Sequence, residues 1–282
     1  MKKIDGKKIA AKKLLALKDK VAQLNAEPAV AVIIIGDDAA SHLYVKLKEK
    51  AAKEIGVELR KYAFAQNVSR EDIQKTIEFL NKDVDTYGII VQLPLPEHLN
   101  ADEIIGMINP DKDVDGFHWI NRERFLSDAE NNIYPVFPQA IMMLVNDARE
   151  DIAGANVVIL GKSDIFDSVM EHACKREGAN TTFISCANKE KFSTNEQTLI
   201  NSADIIITAC GKPGILSCDV VAEHTIVIDG GISKVGDKTV GDLDTKECED
   251  RKITISPVPG GVGPVTIACL LENVVTLTKK QN

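Results

Sequence analysis

The chain has 282 residues, 44% of them apolar and 27% charged, enough for one large or two ordinary globular domains. A formal charge of -8, with no basic stripe to neutralise phosphates, argues against nucleic acid as a partner. No apolar stretch approaches the roughly 20 residues of a membrane span, and Met1-Lys2-Lys3-Ile4-Asp5 lacks an apolar signal core, so the expected location is cytoplasmic, with no membrane partner.

Apolar strand candidates occur at 29–35, 57–64, 87–92, 156–161, 181–185, 204–209 and 225–229, with amphipathic helical segments between most of them. This alternation predicts parallel α/β sheets covered by helices. The first strand leads through the turn Gly36-Asp37-Asp38 into a helix over 39–55 that carries Leu43, Leu47 and Ala51 at helical spacing. Tyr44 and Lys48 lie four apart and so share a face. Such pairs are commonly surface decoration, but this helix follows directly on a strand end. Gln92 closes the strand 87–92 before the stiff loop Leu93-Pro94-Leu95-Pro96, at the carboxyl edge where open α/β sheets bind ligands.

A short helical stretch over 101–108 precedes Pro110-Asp111-Lys112-Asp113-Val114-Asp115-Gly116-Phe117, which packs three carboxylates and a lysine around a turn glycine. Composition alone reads this as a solvated polar turn. His118 follows it and is a candidate for the edge of a cleft. The polar stretch Asp128-Ala129-Glu130-Asn131-Asn132, ahead of Pro135 and Pro138, is the best linker candidate. The first three strands then form an amino-terminal domain ending near Trp119, and the next four a Rossmann-type domain. All six cysteines fall in the second half, without a Cys-x-x-Cys pair or nearby histidine spacing. Free thiols in a reducing compartment are therefore expected, not zinc or disulfides, and no metal is expected. Finally, Pro257-Val258-Pro259-Gly260-Gly261-Val262-Gly263-Pro264-Val265-Thr266 places three prolines and three glycines within eight residues. It reads as a rigid, close-approach wall that is neither helix nor central strand.

Taken in order, Asp5-Gly6-Lys7, Ser41…Tyr44…Lys48, the Gln92 loop, Lys112-Asp113-Val114-Asp115-Gly116-Phe117, Gly211-Lys212-Pro213-Gly214, Val240-Gly241-Asp242 and the 257–266 run resemble the methylenetetrahydrofolate dehydrogenase/cyclohydrolase family of folate one-carbon metabolism. The resemblance extends to Asn273 without a large gap. It implies an amino-terminal α/β catalytic domain (1–119 plus 266–282), a carboxyl-terminal Rossmann-type NAD(P)-binding domain (135–265), a ligand cleft between them, and a homodimer. It also implies NADP as cofactor and tetrahydrofolate derivatives as substrates, in chemistry that feeds purine, methionine and histidine biosynthesis. Lys48 would be the catalytic residue, with Tyr44 lining the substrate and Gln92 holding the lysine in its working protonation state. Asp115 would bind the pterin ring, with Ser41 and the wall residues Pro259, Gly260, Gly261 and Pro264 also against the substrate. Gly161, Lys162, Ser163 and Ile232 would bind the cofactor.

The dinucleotide loop departs from the family pattern. Where the family reads Gly-Arg/Ala-Ser-x-x-Val-Gly-x-Pro, this chain reads Gly161-Lys162-Ser163-Asp164-Ile165-Phe166-Asp167-Ser168-Val169. Asp167 stands for the second glycine and Val169 for the proline. Pro135-Val136-Phe137-Pro138-Gln139-Ala140 likewise replaces the cysteine, threonine and glycine of Pro-Cys-Thr-Pro-x-Gly. A carboxylate near a helix amino terminus satisfies the donors that attract phosphate and repels a pyrophosphate. Asp167 is thus expected either to weaken NADP binding or to act as a helix-capping acid in a domain that no longer binds dinucleotide. Lys162 stands where many relatives carry an arginine for the 2′-phosphate of NADP, and no acidic residue ends the second strand of this domain to favour NAD. Three functions follow: a bifunctional NADP-dependent dehydrogenase and cyclohydrolase, a monofunctional cyclohydrolase, or a folate-binding paralogue without turnover.

Overall fold

A computed structural model describes residues 1–130 and 132–281; Asn131 of the linker candidate and Asn282 lie outside the described residues. Along the first half run β1 (Lys2–Lys3), α1 (Gly6–Val21), β2 (Ala29–Ile35), α2 (Ala39–Ile55), β3 (Glu58–Phe64), α3 (Arg70–Lys82), β4 (Gly88–Val91), α4 (Ala101–Ile105) and α5 (Trp119–Leu126). The second half holds α6 (Val136–Ala148), β5 (Asn156–Gly161), α7 (Asp164–Arg176), β6 (Asn180–Ser185), α8 (Thr194–Asn201), β7 (Ile205–Thr208), β8 (Ile226–Asp229), β9 (Ser233–Val235), β10 (Lys238–Val240), β11 (Thr254–Ile255) and α9 (Val262–Gln281). The expected alternation is present. The chain is an α/β protein of two compact units, one of Ala11–Val136 with Ile267–Asn282 and the other of Met1–Ala10 with Phe137–Thr266.

In the first unit β2 lies between β3 and β4, all parallel. Every residue of β2 is buried, as a central parallel strand requires. α3 turns Ile73, Ile77 and Leu80 inward at helical spacing, fully buried against Ile33, Ile89 and Val91; each such side chain contributes roughly 1.5–3 kcal/mol. α2 starts where the Asp38 carboxylate accepts from Ser41 N at 2.7 Å, and ends at Gly56, φ 86°. Its buried face is Ser41, Val45, Lys48, Ala52 and Ile55. Leu43 and Leu47, which marked the helix by their spacing, are exposed. The face that packs carries the polar Ser41 and Lys48.

In the second unit a parallel sheet runs β1-β11-β8-β7-β5-β6, the Rossmann-type arrangement. The chain leaves β5 for β6 on one side and returns to β7 on the other. Ligands bind such sheets at this switch point, beyond the strands' carboxyl ends. The strands β1 and β11 have two residues each, too few to carry a periodic signal.

Two expectations are corrected. Cys186 pairs with Cys210 and Cys218 with Cys248 as disulfides, with Cα atoms 5.9 and 5.5 Å apart, within the bridging range. The partners are 24 and 30 residues apart and are joined by the sheet's crossovers, so linear spacing hid them; Cys174 and Cys269 stay free and buried. The 257–266 run is not all loop, because α9 begins at Val262. Pro264 falls in its first turn, where a missing N–H costs no helical bond. With that turn included, α9 is long and apolar enough to cross a membrane by length and composition, but 67% of its apolar window is buried inside the chain, as in a core helix.

Candidate active site

In the first unit α2 and the end of β4 bring three of the expected residues together. Lys48 is 5% exposed. Its Nζ donates to Gln92 Oε1 at 2.9 Å and lies 4.9 Å from the centre of the Tyr44 ring. Gln92 is held twice: its backbone N–H donates to Ile33 O, extending the sheet, and its Nε2 donates to Leu93 O at 2.8 Å. The amide therefore presents its oxygen to the lysine. Ser41, buried, stands seven residues before Lys48 on the same helix face.

Burial pushes the Lys48 ammonium down from its ordinary range, with the Asp115 charge opposing. Burial likewise pushes the Asp115 carboxyl up to about 6, opposed by Lys48 and assisted by Asp113. The two groups thus sense each other while both resist ionisation.

The turn that carries Asp115 is built on Asp113, which sequence reasoning did not single out. Its carboxylate accepts from Gly116 N (3.1 Å), His118 N (2.8 Å) and Asn121 Nδ2 (3.0 Å). The signal was its place three residues before a turn glycine, but three neighbouring carboxylates looked alike. Gly116 has φ 76°, and a Cβ there would come within 2.8 Å of Pro135 Cα. Asp115 O accepts from Val136 N at 3.0 Å, and Asn273 Nδ2 donates to Val114 O at 2.9 Å, so α9 grips the turn. His118 is not a cleft group. It is buried, caps α5 by accepting from Ile120 N at Nδ1, and sets Nε2 3.3 Å from Gly106 O. Lys112 is structural too, donating to Leu80 O and Asp83 O at 2.8 and 2.6 Å.

The wall residues belong to the second unit. Close approach is real there: a Cβ on Gly6 would collide with Gly261 O, and Gly260 has φ 107°. Gly260 and Gly261 thus pack on Gly6 and Lys7, while Pro264 sits in α9.

Three of the expected cofactor residues lie where β5 leads into α7, at the switch point of the sheet. Gly161 ends β5, Lys162 is exposed, and Ser163 stands at the N-cap of α7 without a side-chain capping bond, which leaves the helix N–H groups free for an anion. Ile232, 63% exposed, follows β8. Two acids missed as positioning groups brace the neighbouring loops. Asp242 accepts from Thr208 Oγ1, Cys210 N and Lys212 N at 2.6–2.8 Å. Asp229 accepts from Gly231 N, Asp242 N and Leu243 N at 2.9–3.1 Å. A Cβ on Gly231 or Gly241 would collide with these carboxyls, which is the physical content of Val240-Gly241-Asp242.

Asp167 does not cap the helix. Its own N–H donates to Ser163 O, and its carboxyl turns inward, where both oxygens are buried without a hydrogen-bond partner. Burial, with Asp164 adding, pushes it up to about 7. The braced loops and free helix end suit a dinucleotide, and Asp167 adds no charge against one while it carries its proton. Among the described residues no cluster suited to a metal ion is present.

Residues 4–115 match the tetrahydrofolate dehydrogenase/cyclohydrolase catalytic domain, and residues 135–282 match the NAD(P)-binding domain of the same family. The chain is 38% identical over 285 residues to the bifunctional protein FolD of a Nitratiruptor species, covering 100% of this chain and 99% of that protein. It is similar to the solved bifunctional enzyme FolD from Campylobacter jejuni, at 37% identity and TM-score 0.92 over 100% of both chains. It is also similar to the Trypanosoma brucei methylenetetrahydrofolate dehydrogenase-cyclohydrolase solved with NADP cofactor and inhibitor. That pair is 31% identical with TM-score 0.91, over 99% of this chain and 97% of the other.

Proposed function

The chain belongs to the tetrahydrofolate dehydrogenase/cyclohydrolase family, and on that premise we propose that it oxidises 5,10-methylenetetrahydrofolate to the 5,10-methenyl cation with NADP and hydrolyses the cation to 10-formyltetrahydrofolate. The observation that carries the reading is the buried Lys48 ammonium donating at 2.9 Å to the fixed Gln92 amide.

The methenyl carbon is already electrophilic, so its hydrolysis needs a positioned water and a group that moves protons. Lys48 supplies that group because burial favours its neutral amine, which accepts a proton from the attacking water. Gln92 is a neutral acceptor, so it orients Nζ without the charge that would hold the lysine protonated. Tyr44 and Ser41, on the same helix, border the substrate, and Asp115 accepts from the donors of its aminopyrimidinone edge. Pro259, Gly260, Gly261 and Pro264 contribute a rigid surface to the substrate. Gly161, Lys162, Ser163 and Ile232 hold the dinucleotide, which when bound supplies the hydride acceptor. Lys162 favours NADP through its 2′-phosphate.

A cytoplasmic homodimer is part of the same reading, and the buried disulfides are out of reach of solution thiols. The test is to supply purified protein with methylenetetrahydrofolate and NADP, and separately with the methenyl compound. Both conversions are expected; loss of either one removes that activity from the assignment.

A further inference from the structure

The first turn of α7 holds a carboxyl that the proposed reaction does not use. Asp167 is 6% exposed, both its oxygens lack a hydrogen-bond partner, and a Cβ on Gly161 would collide with Oδ1. It therefore fills the space beneath the end of β5, one turn into the helix whose amino terminus would receive a pyrophosphate. Few charges surround it. β5 and β6 carry no titratable side chain, and α6, which packs on α7 through Phe137 against Phe166, carries only the exposed Asp147. On α7 itself Asp164 is the charge that acts on it, Glu171 is paired with Lys175, and the loop residue Lys162 is exposed.

We propose that Asp167 is a proton-linked determinant of dinucleotide affinity, in which a pyrophosphate is held at the α7 amino terminus only while the Asp167 carboxyl carries its proton. The inference rests on the reading that this domain binds a dinucleotide. An anion at the helix end and an ionised carboxyl beneath it repel each other, and the carboxyl oxygens are buried away from the solvent surface, where the charge is poorly screened. The protonated form is neutral and sterically the same. Burial already places the ionisation close to neutral pH, at about 7. Above that range each binding event must draw one proton from the buffer, and affinity falls by up to about tenfold per pH unit.

The experiment is a calorimetric titration of NADP from pH 6.5 to 9, in buffers of low and high ionisation enthalpy, on the wild-type protein and Asp167→Asn. The 2′-phosphate of NADP ionises near pH 6 and contributes equally to both. The wild-type protein is expected to lose affinity with rising pH and to take up close to one additional proton per NADP at pH 8.5. Asp167→Asn should lose both the slope and the uptake and bind at least about tenfold more tightly at pH 8.5. Asp167→Gly gives the same comparison if the asparagine variant does not fold. Binding with equal slopes and equal proton counts overturns the inference and leaves the dinucleotide reading intact. Absence of binding to all variants at every pH overturns both.

Discussion

Lys48 owes its place in the proposed chemistry to a neutral partner. A carboxylate at the position of Gln92 would stabilise the ammonium, whereas the amide oxygen at 2.9 Å orients Nζ without adding charge. Gln92→Glu should therefore raise the Lys48 pKa, slow methenyl hydrolysis at neutral pH, and shift the rising limb of the pH–rate profile to higher pH; a limb that stays in place sinks this account. Lys48→Met should reduce hydrolysis by ~10²–10⁴-fold while folate-analogue binding stays within about tenfold. Near-normal hydrolysis by the folded variant would end the role of Lys48. Asp115→Ala should weaken analogue binding by ~1.5–3 kcal/mol, and an unchanged dissociation constant would place the pterin elsewhere. Helical spacing put Tyr44 and Lys48 on one face and the end of an apolar strand marked Gln92, but it was the family resemblance that singled the three out from surface decoration. Asp113 and the fate of Asp167 were not legible. Three turn carboxylates are equivalent until the N–H groups they accept from are in place, and nothing linear shows a carboxyl turned inward.

At the scale of elements, long periodic segments were the readable ones. β2 and β5 match the expected 29–35 and 156–161, and α2 matches 39–55, but the spacing of Leu43 and Leu47 pointed to the wrong face because the inward face carries Ser41 and Lys48. Elements made by long-range pairing were hidden, as with β1 on β11 and the two disulfides. The disulfides give a thiol count. Cys174 and Cys269 are buried and pushed up to about 12, so the native protein should show no reactive thiol. Denaturation without reductant should expose two, and denaturation with reduction, followed by removal of the reductant, all six, by aromatic-disulfide titration. Six in unreduced protein would refute both bridges. Replacing Cys218 and Cys248 by alanine should cost ~3.5 kcal/mol, since the bridge closes a loop of about 30 residues.

For the whole molecule, pH should act on stability against the usual direction of acid denaturation. In the Met1–Ala10 and Phe137–Thr266 unit, burial raises the carboxyls of Asp167 and Asp229 to about 7 each, whereas an unfolded aspartate ionises near ~3.9. A group with a raised folded pKa binds its proton more tightly when folded, so its contribution is fully present below ~3.9, is lost as pH rises through about 7, and is constant above that. Glu196 works oppositely: its folded carboxyl lies at about 2, held by Lys189 and Ser193, so its contribution is lost only as pH falls below the unfolded range near ~4.3. Between these limits the two aspartates decide the slope, and a net charge of -8 that shrinks on protonation acts in the same sense. Urea unfolding of this unit should therefore have a higher midpoint at pH 5.5 than at pH 8. Trp119, the chain's single tryptophan, lies in the other unit, so a far-ultraviolet circular dichroism transition that its fluorescence does not follow belongs to this one. Asp167→Asn removes one of the two titrations and should flatten part of the slope, with a gain at pH 8 on the order of 1–3 kcal/mol from relieving a buried unpaired charge. A midpoint that rises from pH 5.5 to 8, or a variant no more stable than wild type at pH 8, would show that Asp167 finds a partner in solution and is not buried alone.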